Sequence, residues 1–517
     1  MGGDRANIVI VGSGIGGMAA GALFAEQGLT VRVLEQHPEL IGGHGRCLCI
    51  NGLEFSMGPQ YVWDFGSGQP GDRFLDFLGI KEANPFIPMQ ADGFERIFVG
   101  ERHEPAAPFL DFCVPLGLEN FRRRMEALFP SEKRRIGALF SDMAGIYKAY
   151  TRYLRTCGQP PNRFLQAGRL LLAKDIAAEL KLRFGLSVFL SLRAFFDKYG
   201  ISPLLRRILY GHGGIFAESE SEMSAIAYII GTGNYHAGAR YPANGFSRFF
   251  DSLKNKILET GGSVETGKRV VRLESQNSRV TGAVCADRSF YGCDWLLSDI
   301  SPRLTWRLLG ENKAAKAFTY SPSHCICTCC IGLRPGFAGL RRMQGRNYWW
   351  QDGREVNYHD PDITSRPQML FINSPTAGGF GRVSDSAGDA LLAYCPGNYF
   401  QEKRLAAKGP QALQRFKRRL AEEIIDILEQ NIFAGIRPYL MFAVVISAVD
   451  VEAATCGELA NAYGRRLSAG EIRKGPIRER GRPDNLYNVS AVKNSPGIAG
   501  GIASAAEVFA ELTGRRL

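Results

Sequence analysis

The sequence has no uninterrupted apolar run long enough to span a bilayer, no fixed-period repeat and no low-complexity tract. These absences argue against a transmembrane protein and against a repeat protein. Hydrophobic residues make up 45% and charged residues 22% of the 517 residues, which is an ordinary globular composition that allows two or three domains. A strand predicted near Ile8 leaves no room for a targeting segment before it, so we expect a cytoplasmic protein.

Cysteine is too sparse for a secreted disulfide framework, with 12 residues in the whole chain, so we expect reduced thiols. The densest set, HCICTCCIGL at 324–333, places Cys325, Cys327 and Cys329 on one face of a predicted strand. It also contains Cys327-x-x-Cys330. No second Cys/His pair at zinc-finger spacing accompanies it, so we predict no metal site.

Basic residues outnumber acidic ones, 63 to 51, for a formal charge of +12. No helix-turn-helix, zinc-finger or RNP-like pattern accompanies this charge, so we expect no nucleic-acid partner. In 163–196, apolar residues alternate at helical spacing with basic ones, namely Arg169, Lys174, Lys181, Arg183 and Arg193. Such a segment could lie on an anionic membrane surface or cover the core with a solvated basic face, and the pattern favours neither. Peripheral membrane association is therefore a hypothesis.

The first 36 residues have the pattern of a dinucleotide-binding unit. The apolar run NIVIV at 7–11 predicts a buried parallel strand, and residues 18–28 predict a helix that ends at a glycine. Between them, Gly12, Gly14 and Gly17 fit G-x-G-x-x-G, which permits a tight turn, close approach of a pyrophosphate and close helix packing. A second predicted strand, 29–36, ends near Glu35, where an acidic side chain accepts hydrogen bonds from ribose hydroxyls.

Two further glycine runs favour FAD over NAD. Gly42 and Gly43, followed by Arg46, can wrap a second turn around a long cofactor, and PGIAGG at 496–501 predicts a glycine loop before a helix. The glycine-rich stretch 231–238 has the wrong spacing for a second fingerprint and no predicted helix after it. Without a second fingerprint, a separate domain for a bound nicotinamide is disfavoured, as is a disulfide reductase that uses Cys47 and Cys49.

Six segments in order, at 51–65, 118–140, 233–253, 261–274, 296–310 and 484–512, resemble one family over most of the chain. It is the FAD-dependent phytoene desaturase, carotenoid isomerase and retinol saturase family of the amine oxidase superfamily. The resemblance implies an α/β fold, a Rossmann-like FAD-binding domain with an inserted α+β substrate domain that carries a helical lid. The FAD-binding domain would comprise 1–80, 238–310 and 481–517, and the substrate-binding domain, with its helical region, 81–237 and 311–480.

The resemblance and the glycine motifs together imply a set of cofactor-binding residues: Gly12, Ser13, Gly14, Gly17, Glu35, Gln36, Gly42, Gly43, Arg46, Val270, Ser490, Ala491, Gly497, Ile498 and Gly500. The aromatic residues Tyr61, Trp63, Tyr235 and His236 lie in matching segments and are candidates to line a substrate cavity. The chain departs from the family at Ser56, in place of an acidic residue, and at Gln60, in place of a histidine common in saturase-like members. We therefore assign no catalytic acid or base.

The predicted function is an FAD-dependent oxidoreductase or isomerase that acts on C–C bonds of a hydrophobic polyene, such as a carotenoid or retinoid-like isoprenoid. The reaction would be desaturation, saturation or cis–trans isomerisation, and it requires mainly an apolar cavity that orients one bond over the flavin. Alternatives on the same scaffold are an amine or amino-acid oxidase and a natural-product tailoring oxidoreductase. A third is a non-catalytic lipid-binding module similar to the GDP-dissociation inhibitors of prenylated GTPases.

Overall fold

The computed structural model describes residues 4–102, 109–157, 178–182, 185–375, 388–475, 477, 479, 481–493 and 496–517. Its strands are β1 (Asp4–Val11), β2 (Val31–Leu34), β3 (Cys47–Ile50), β4 (Leu53–Ser56), β5 (Phe86–Pro88), β6 (Glu95–Val99), β7 (Leu110–Val114), β8 (Arg240–Pro242), β9 (Ser263–Glu265), β10 (Val270–Gln276), β11 (Arg279–Cys285), β12 (Phe290–Ser298), β13 (Ile326–Leu333), β14 (Asn347–Gln351), β15 (Met369–Asn373), β16 (Asp389–Pro396), β17 (Leu440–Ile446) and β18 (Leu486–Asn488).

The α-helices named here are α1 (Ile15–Ala25), α2 (Pro70–Phe77), α3 (Leu118–Leu128), α4 (Lys133–Cys157), α5 (Leu192–Tyr199), α6 (Pro203–Leu209), α7 (Ala225–His236), α8 (Gly245–Glu259), α9 (Pro302–Leu308), α10 (Asn312–Lys316), α11 (Tyr399–Ala407), α12 (Pro410–Asn431), α13 (Ala448–Thr455), α14 (Ala469–Arg473) and α15 (Gly497–Thr513). In the described part of the chain, no helix has both the length and the apolar character needed to cross a bilayer.

The first sheet is the Rossmann-like unit predicted from the N-terminal pattern. Its order is β10-β11-β12-β1-β2-β9, and β18 pairs with β12. The pairs β12-β1, β1-β2, β2-β9 and β12-β18 are parallel, as expected for strands covered on both faces. Ile8, Val9 and Ile10 are fully buried between α1, α8 and α15 on one face and a smaller apolar cluster on the other. The predicted α/β class is confirmed.

The second sheet has the order β17-β13-β16-β15-β14-β6-β7 and is antiparallel except for the β14-β6 pair. One face packs against α12, and the other packs against a large apolar cluster that includes α3 to α7. The predicted cysteine strand is β13, in which Cys327 and Cys329 share the α12 face. Cys325 immediately precedes the strand and also packs with Ala448, and a Cβ on Gly397 would lie 3.3 Å from its Sγ atom and 3.2 Å from that of Cys327, so these two thiols lie on the same side.

Two glycine-rich segments are helical, and one of them was predicted to be a loop. Residues 231–236 lie inside α7, where Gly231 and Gly233 allow the rings of Phe216 and Tyr147 to approach the helix backbone. Close ring packing explains these two glycines. The glycines of 496–501 form the first turn of α15 itself, which begins at Gly497.

The predicted helical segment 118–140 forms α3 and the start of α4, and its role as a lid remains a prediction. The basic stretch 163–196 lies largely outside the described residues, including Arg169, Lys174 and Arg183. Of its described members, Lys181 is exposed and Arg193 pairs with Glu355.

Candidate cofactor and substrate site

The first glycine-rich turn connects β1 to α1. Gly12 has a φ of +96°, in the left-handed region that favours glycine. Gly14 is the N-cap of α1, and no side chain caps this helix. The first N–H groups of α1 therefore remain available for an anion, as in a phosphate-binding turn.

A buried carboxyl group packs against this turn. A Cβ atom added to Gly14 would lie 2.4 Å from Oδ2 of Asp299, and one added to Gly17 would lie 2.4 Å from the Gly12 carbonyl oxygen. Burial raises the pKa of Asp299 well above its ordinary value and so favours the neutral form. Packing inside the protein thus already requires glycine at positions 14 and 17.

Glu35 follows β2 and is held rigidly beside the same turn. Its Oε2 atom accepts hydrogen bonds from Ser13 N at 3.0 Å and from Ser13 Oγ at 2.5 Å. Its Oε1 atom accepts one from His37 N at 2.8 Å. A carboxylate has about four acceptor positions, so these bonds orient Glu35 and leave room for a further donor such as a ribose hydroxyl.

The paired glycines lie directly against the first turn. Gly42 N donates to the Ser13 carbonyl at 3.0 Å, and a Cβ on Gly43 would lie 3.3 Å from Gly14 Cα. Arg46 is buried, and its guanidinium donates to the Gly43 carbonyl at 3.0 Å. The structure therefore brings both predicted glycine turns and Arg46 together.

Gln36 and Val270 lie at the Glu35 side of this assembly. Lys268 N donates to the Glu35 carbonyl at 2.7 Å, which brings the start of β10, and hence Val270, close to the end of β2. The Gln36 side chain instead bonds to the end of α13, donating to Ala454 O at 3.4 Å and accepting from Cys456 Sγ at 3.1 Å.

The C-terminal segment lies on the other side of the turn. A Cβ on Gly16 would lie 2.0 Å from the Val489 carbonyl oxygen, so the two backbones are in close contact. Ser490 is buried and donates through N and Oγ to Asn488 Oδ1, at 3.0 and 2.7 Å, and Ala491 follows in a turn. Gly497 begins α15, and Ile498 and Gly500 are buried in its first turn.

The N-termini of α1 and α15 lie side by side. A Cβ on Gly501 would lie 2.5 Å from Ile15 Cγ2 and 3.1 Å from Gly16 N. Like α1, α15 has no side-chain cap. The positive end of α1, beside the Glu35 carboxylate, could bind the pyrophosphate of a dinucleotide whose ribose contacts Glu35, and the first turns of α15 lie against it.

Three of the four predicted substrate-lining residues belong to one aromatic cluster, which we define as Tyr61, Trp63, Tyr235, Phe371 and Tyr394. Tyr61 stacks on Tyr235 with ring centroids 4.4 Å apart, and Trp63 meets Tyr235 edge-on at 4.9 Å. Phe371 stacks on Tyr61 at 6.4 Å and on Tyr394 at 5.5 Å. The Trp63 ring lies 3.9 Å from the position of a Cβ on Gly497, so the cluster reaches from the second sheet to the start of α15.

His236 lies outside this cluster. Its ring stacks on Phe121 at 5.2 Å and meets Phe94 edge-on at 5.4 Å. Burial lowers the pKa of His236 to about 3, so it is neutral at physiological pH. The structure separates this residue from its three predicted companions.

The two residues that replace family side chains hold the turn before Tyr61. Gln60 Nε2 donates to the Ser56 carbonyl at 2.6 Å and to Tyr394 Oη at 2.5 Å. Ser56 Oγ donates to the Pro59 carbonyl at 2.8 Å. These bonds attach residues 56–61 to β16 of the second sheet.

Sequence reasoning missed two buried carboxyl groups, Asp299 and Glu95. In β6, Glu95 alternates with Ile97 and Val99 and therefore lies on the face that packs into the large apolar cluster. The sequence signal for Glu95 was its spacing: it lies two and four residues before the apolar Ile97 and Val99, which places it on the same face of the strand.

Among the described residues, one group has the side chains and spacing to hold a metal ion, namely Glu218, Glu222 and His324. Arg466 pairs with Glu218 at 2.7 Å and with Glu222 at 2.5 Å. Arg466 contacts both carboxylates and offsets one of their two negative charges, so the group is explained as an ion-pair network.

Residues 10–78 match the NAD(P)-binding Rossmann-like domain family, in agreement with the first sheet. An oxidoreductase from Methanosarcina mazei has a solved structure that superposes with a TM-score of 0.64, at 16% identity over 97% of this chain and 99% of that one. At this identity the similarity shows the shared fold.

Three curated relatives share sequence with the chain. The 4,4'-diaponeurosporene oxygenase of Staphylococcus haemolyticus is 20% identical over 470 residues, which are 87% of this chain and 85% of that protein. The 4,4'-diapophytoene desaturase of a Methylomonas species is 23% identical, over 53% of this chain and 50% of the relative. The all-trans-retinol 13,14-reductase of Danio rerio is 25% identical, over 50% of this chain and 40% of the relative.

The chain thus spans most of the first relative's length but only half or less of the other two. These relatives bear out the predicted resemblance to phytoene desaturases and retinol saturases. They also confirm the prediction of an oxidoreductase.

Proposed function

We propose that this relative of the phytoene desaturases and retinol saturases is an FAD-dependent oxidoreductase that acts on C–C bonds of a hydrophobic polyene. The observation that carries the proposal is the pair of uncapped helix N-termini, α1 and α15, side by side next to the fixed Glu35 carboxylate. Its reaction would be desaturation, saturation or cis–trans isomerisation.

The residues around the two helix ends fit FAD. The turn at Gly12 to Gly17 and the N-terminus of α1 would hold the pyrophosphate, and Glu35 would accept from the adenosine ribose. Gly42, Gly43 and Arg46 would extend this contact, Val270 would lie near the adenine, and Gly497 to Gly501 would lie near the isoalloxazine. When bound, FAD supplies a site that takes or gives a hydride.

The proposed domain division follows from the same placement. Strands of the first sheet come from three separate stretches of chain, at 4–34, 263–298 and 486–488. We assign 1–80, 238–310 and 481–517 to the FAD-binding domain, and 81–237 and 311–480 to the substrate-binding domain.

The aromatic cluster supports a polyene substrate. Tyr61, Trp63 and Tyr235 are stacked or edge-on rings at the boundary between the second sheet and α15. Flat apolar rings can pack along a conjugated chain without charged anchors. The names of the relatives point the same way, since they are a carotenoid oxygenase, a carotenoid desaturase and a retinol reductase.

Attachment to an anionic membrane surface is a further part of the proposal. Leu182, Leu186 and Leu190 are 89%, 61% and 40% exposed, and they adjoin the exposed Lys181. Exposed leucines beside a basic residue suit the headgroup boundary of a bilayer, where a polyene would be dissolved.

The test is to purify the protein, identify its bound cofactor and incubate it with carotenoids, retinoids and unsaturated acyl chains. Products are then analysed by chromatography and mass spectrometry. We expect FAD in the purified protein and conversion of a polyene by a change of two hydrogens or by isomerisation. A colourless protein that FAD does not restore, or conversion of amines alone, would refute the proposal.

A further inference from the structure

Behind the aromatic cluster, the described residues contain a buried carboxyl group with no lysine or arginine partner. Glu95 is 1% exposed, and its Oε1 atom accepts hydrogen bonds from the Tyr61 hydroxyl and from Trp349 Nε1, the latter at 3.2 Å. Its Oε2 atom lies 3.5 Å from His212 Nδ1. Burial makes this carboxylate costly to keep charged, whereas the hydrogen bonds from Tyr61 and Trp349 stabilise the charged form. Because these effects oppose each other, the carboxyl group can both take up and release a proton.

Tyr61 connects this carboxyl group to the proposed site of reaction. Its ring stacks on Tyr235, which meets Trp63, and Trp63 adjoins Gly497 at the start of α15. Its hydroxyl donates to Glu95, and the phenolic oxygen keeps its lone pairs for another donor. Tyr61 is therefore both a ring of the proposed polyene site and, through its hydroxyl oxygen, the partner of a buried acid.

We propose that Tyr61 exchanges a proton with a carbon of the polyene and that Glu95 holds this proton behind it. The inference deepens the proposed function and rests on it. In desaturation, one substrate carbon would lose a hydride, which bound FAD would accept, and its neighbour would lose a proton to the Tyr61 oxygen. Tyr61 passes its own proton to the Glu95 carboxylate at the same time, and the C=C bond forms. Saturation is the exact reverse, with a reduced flavin as hydride donor.

Of Glu95 and the titratable groups around it, Glu95 is the one whose pKa lies near neutral pH. Burial raises the pKa of Glu95 to about 7, whereas the pKa of His212 is lowered by burial to about 4. Burial also raises the pKa values of Tyr61, Tyr228 and Tyr235 well above their ordinary range. No free tyrosinate is then expected, which is why the two proton transfers must be concerted.

The pH dependence has opposite signs for the two directions of reaction. A desaturase needs Glu95 ionised, so its rate should rise as pH increases through about 7. A saturase needs Glu95 protonated, so its rate should fall over the same interval. An isomerase that first adds and then removes a proton starts with Glu95 protonated and returns to that state, so its rate should also fall as pH increases through about 7.

Glu95→Gln preserves the size and polarity of the side chain but cannot accept the proton. The matched control is Glu402→Gln, because Glu402 is also fully buried with a pKa raised by burial to about 7 but lies away from the cluster, bonded to the backbone of Asn398 and Ala448. Tyr61→Phe removes the hydroxyl alone, and Glu95→Asp keeps a titratable carboxyl. Flavin content and melting temperature establish that each variant is folded.

The first measurement requires no turnover. Infrared difference spectra between about pH 5.5 and about pH 8.5 should contain a band from the protonated Glu95 carboxyl group. Glu95→Gln should remove this band, Tyr61→Phe should shift it, and Glu402→Gln should leave it in place. The second is single turnover of the polyene identified in the panel, in deuterated water. Glu95→Gln and Tyr61→Phe should retain FAD but slow conversion by about 100-fold or more and lose the pH dependence near 7. Glu95→Asp should recover part of the rate, and Glu402→Gln should match wild type.

Wild-type rate and pH dependence in folded Glu95→Gln would overturn this inference and leave the proposed function intact. So would the absence of any Glu95 band in the infrared difference. A wild-type protein without FAD or polyene conversion overturns the proposed function and this inference together.

Discussion

Gly14 offers a test that separates cofactor binding from folding. Its φ of −64° suits any L-residue, so alanine there adds no backbone strain. The added methyl would lie 2.4 Å from Asp299 Oδ2, and the three atoms nearest to it all belong to Asp299. Overpacking of this kind costs about 1–3 kcal/mol. For a chain of 517 residues, at about 2.1 cal/mol/K per residue, Gly14→Ala should therefore lower the melting temperature by about 1–3 °C and also prevent FAD binding.

Asp299→Ala removes the atoms that the methyl group would meet. In that background Gly14→Ala should cost almost nothing in stability, which corresponds to a coupling of about 1–3 kcal/mol between the two positions. FAD binding behaves differently, because the methyl group still lies where the pyrophosphate must approach. The double variant should be folded but free of flavin, whereas Asp299→Ala alone should retain FAD.

The assay measures two independent quantities on the same four proteins. Melting temperatures of the flavin-stripped forms report the packing contact, and quenching of FAD fluorescence on titration reports binding. If the double variant binds FAD as tightly as Asp299→Ala, Gly14 does not face the pyrophosphate. If Gly14→Ala costs the same stability with and without Asp299, the packing argument is wrong.

Four other predictions follow from the sequence and the described contacts. Gly501→Val should push α15 away from Ile15 and reduce both flavin content and melting temperature, and a variant with normal flavin would contradict the paired helix ends. In a density gradient, wild-type protein should float with anionic phospholipid vesicles, and added salt should reduce this binding only in part. The Leu182→Ser/Leu186→Ser variant should remain at the bottom of the gradient, and failure of the wild type to float would refute the membrane proposal. NADPH alone should not reduce the flavin rapidly, because one dinucleotide fingerprint is present, and fast saturable reduction would show this architecture to be misread. Under anaerobic conditions a desaturase should bleach its flavin once and stop, whereas an isomerase with reduced FAD should continue.

Short-range sequence was sufficient for the nucleotide-binding turn. Strand β1, the glycine spacing, α1 and the acidic residue after β2 occur within 35 residues, and each is set by its neighbours in the chain. The cysteine strand β13 was predictable for the same reason, since β-branched and small apolar residues alternate there. The helical conformation of 231–236 was not predicted, because a glycine that admits a ring is indistinguishable in sequence from one that makes a turn.

The tertiary structure decided which distant residues meet. Glu35 bonds to Ser13, and α15, near the C-terminus, lies against α1, near the N-terminus. Glu95, in β6 of the second sheet, meets Tyr61, which lies between β4 and α2. A sequence shows that Glu95 shares a phase with Ile97 and Val99, but it does not show what lies opposite. The strand order of the second sheet supplies Trp349 as a partner, the segment between β4 and α2 supplies Tyr61, and burial among them raises the carboxyl pKa. Local propensity acts over a few residues, whereas desolvation and partner choice depend on packing between segments hundreds of residues apart.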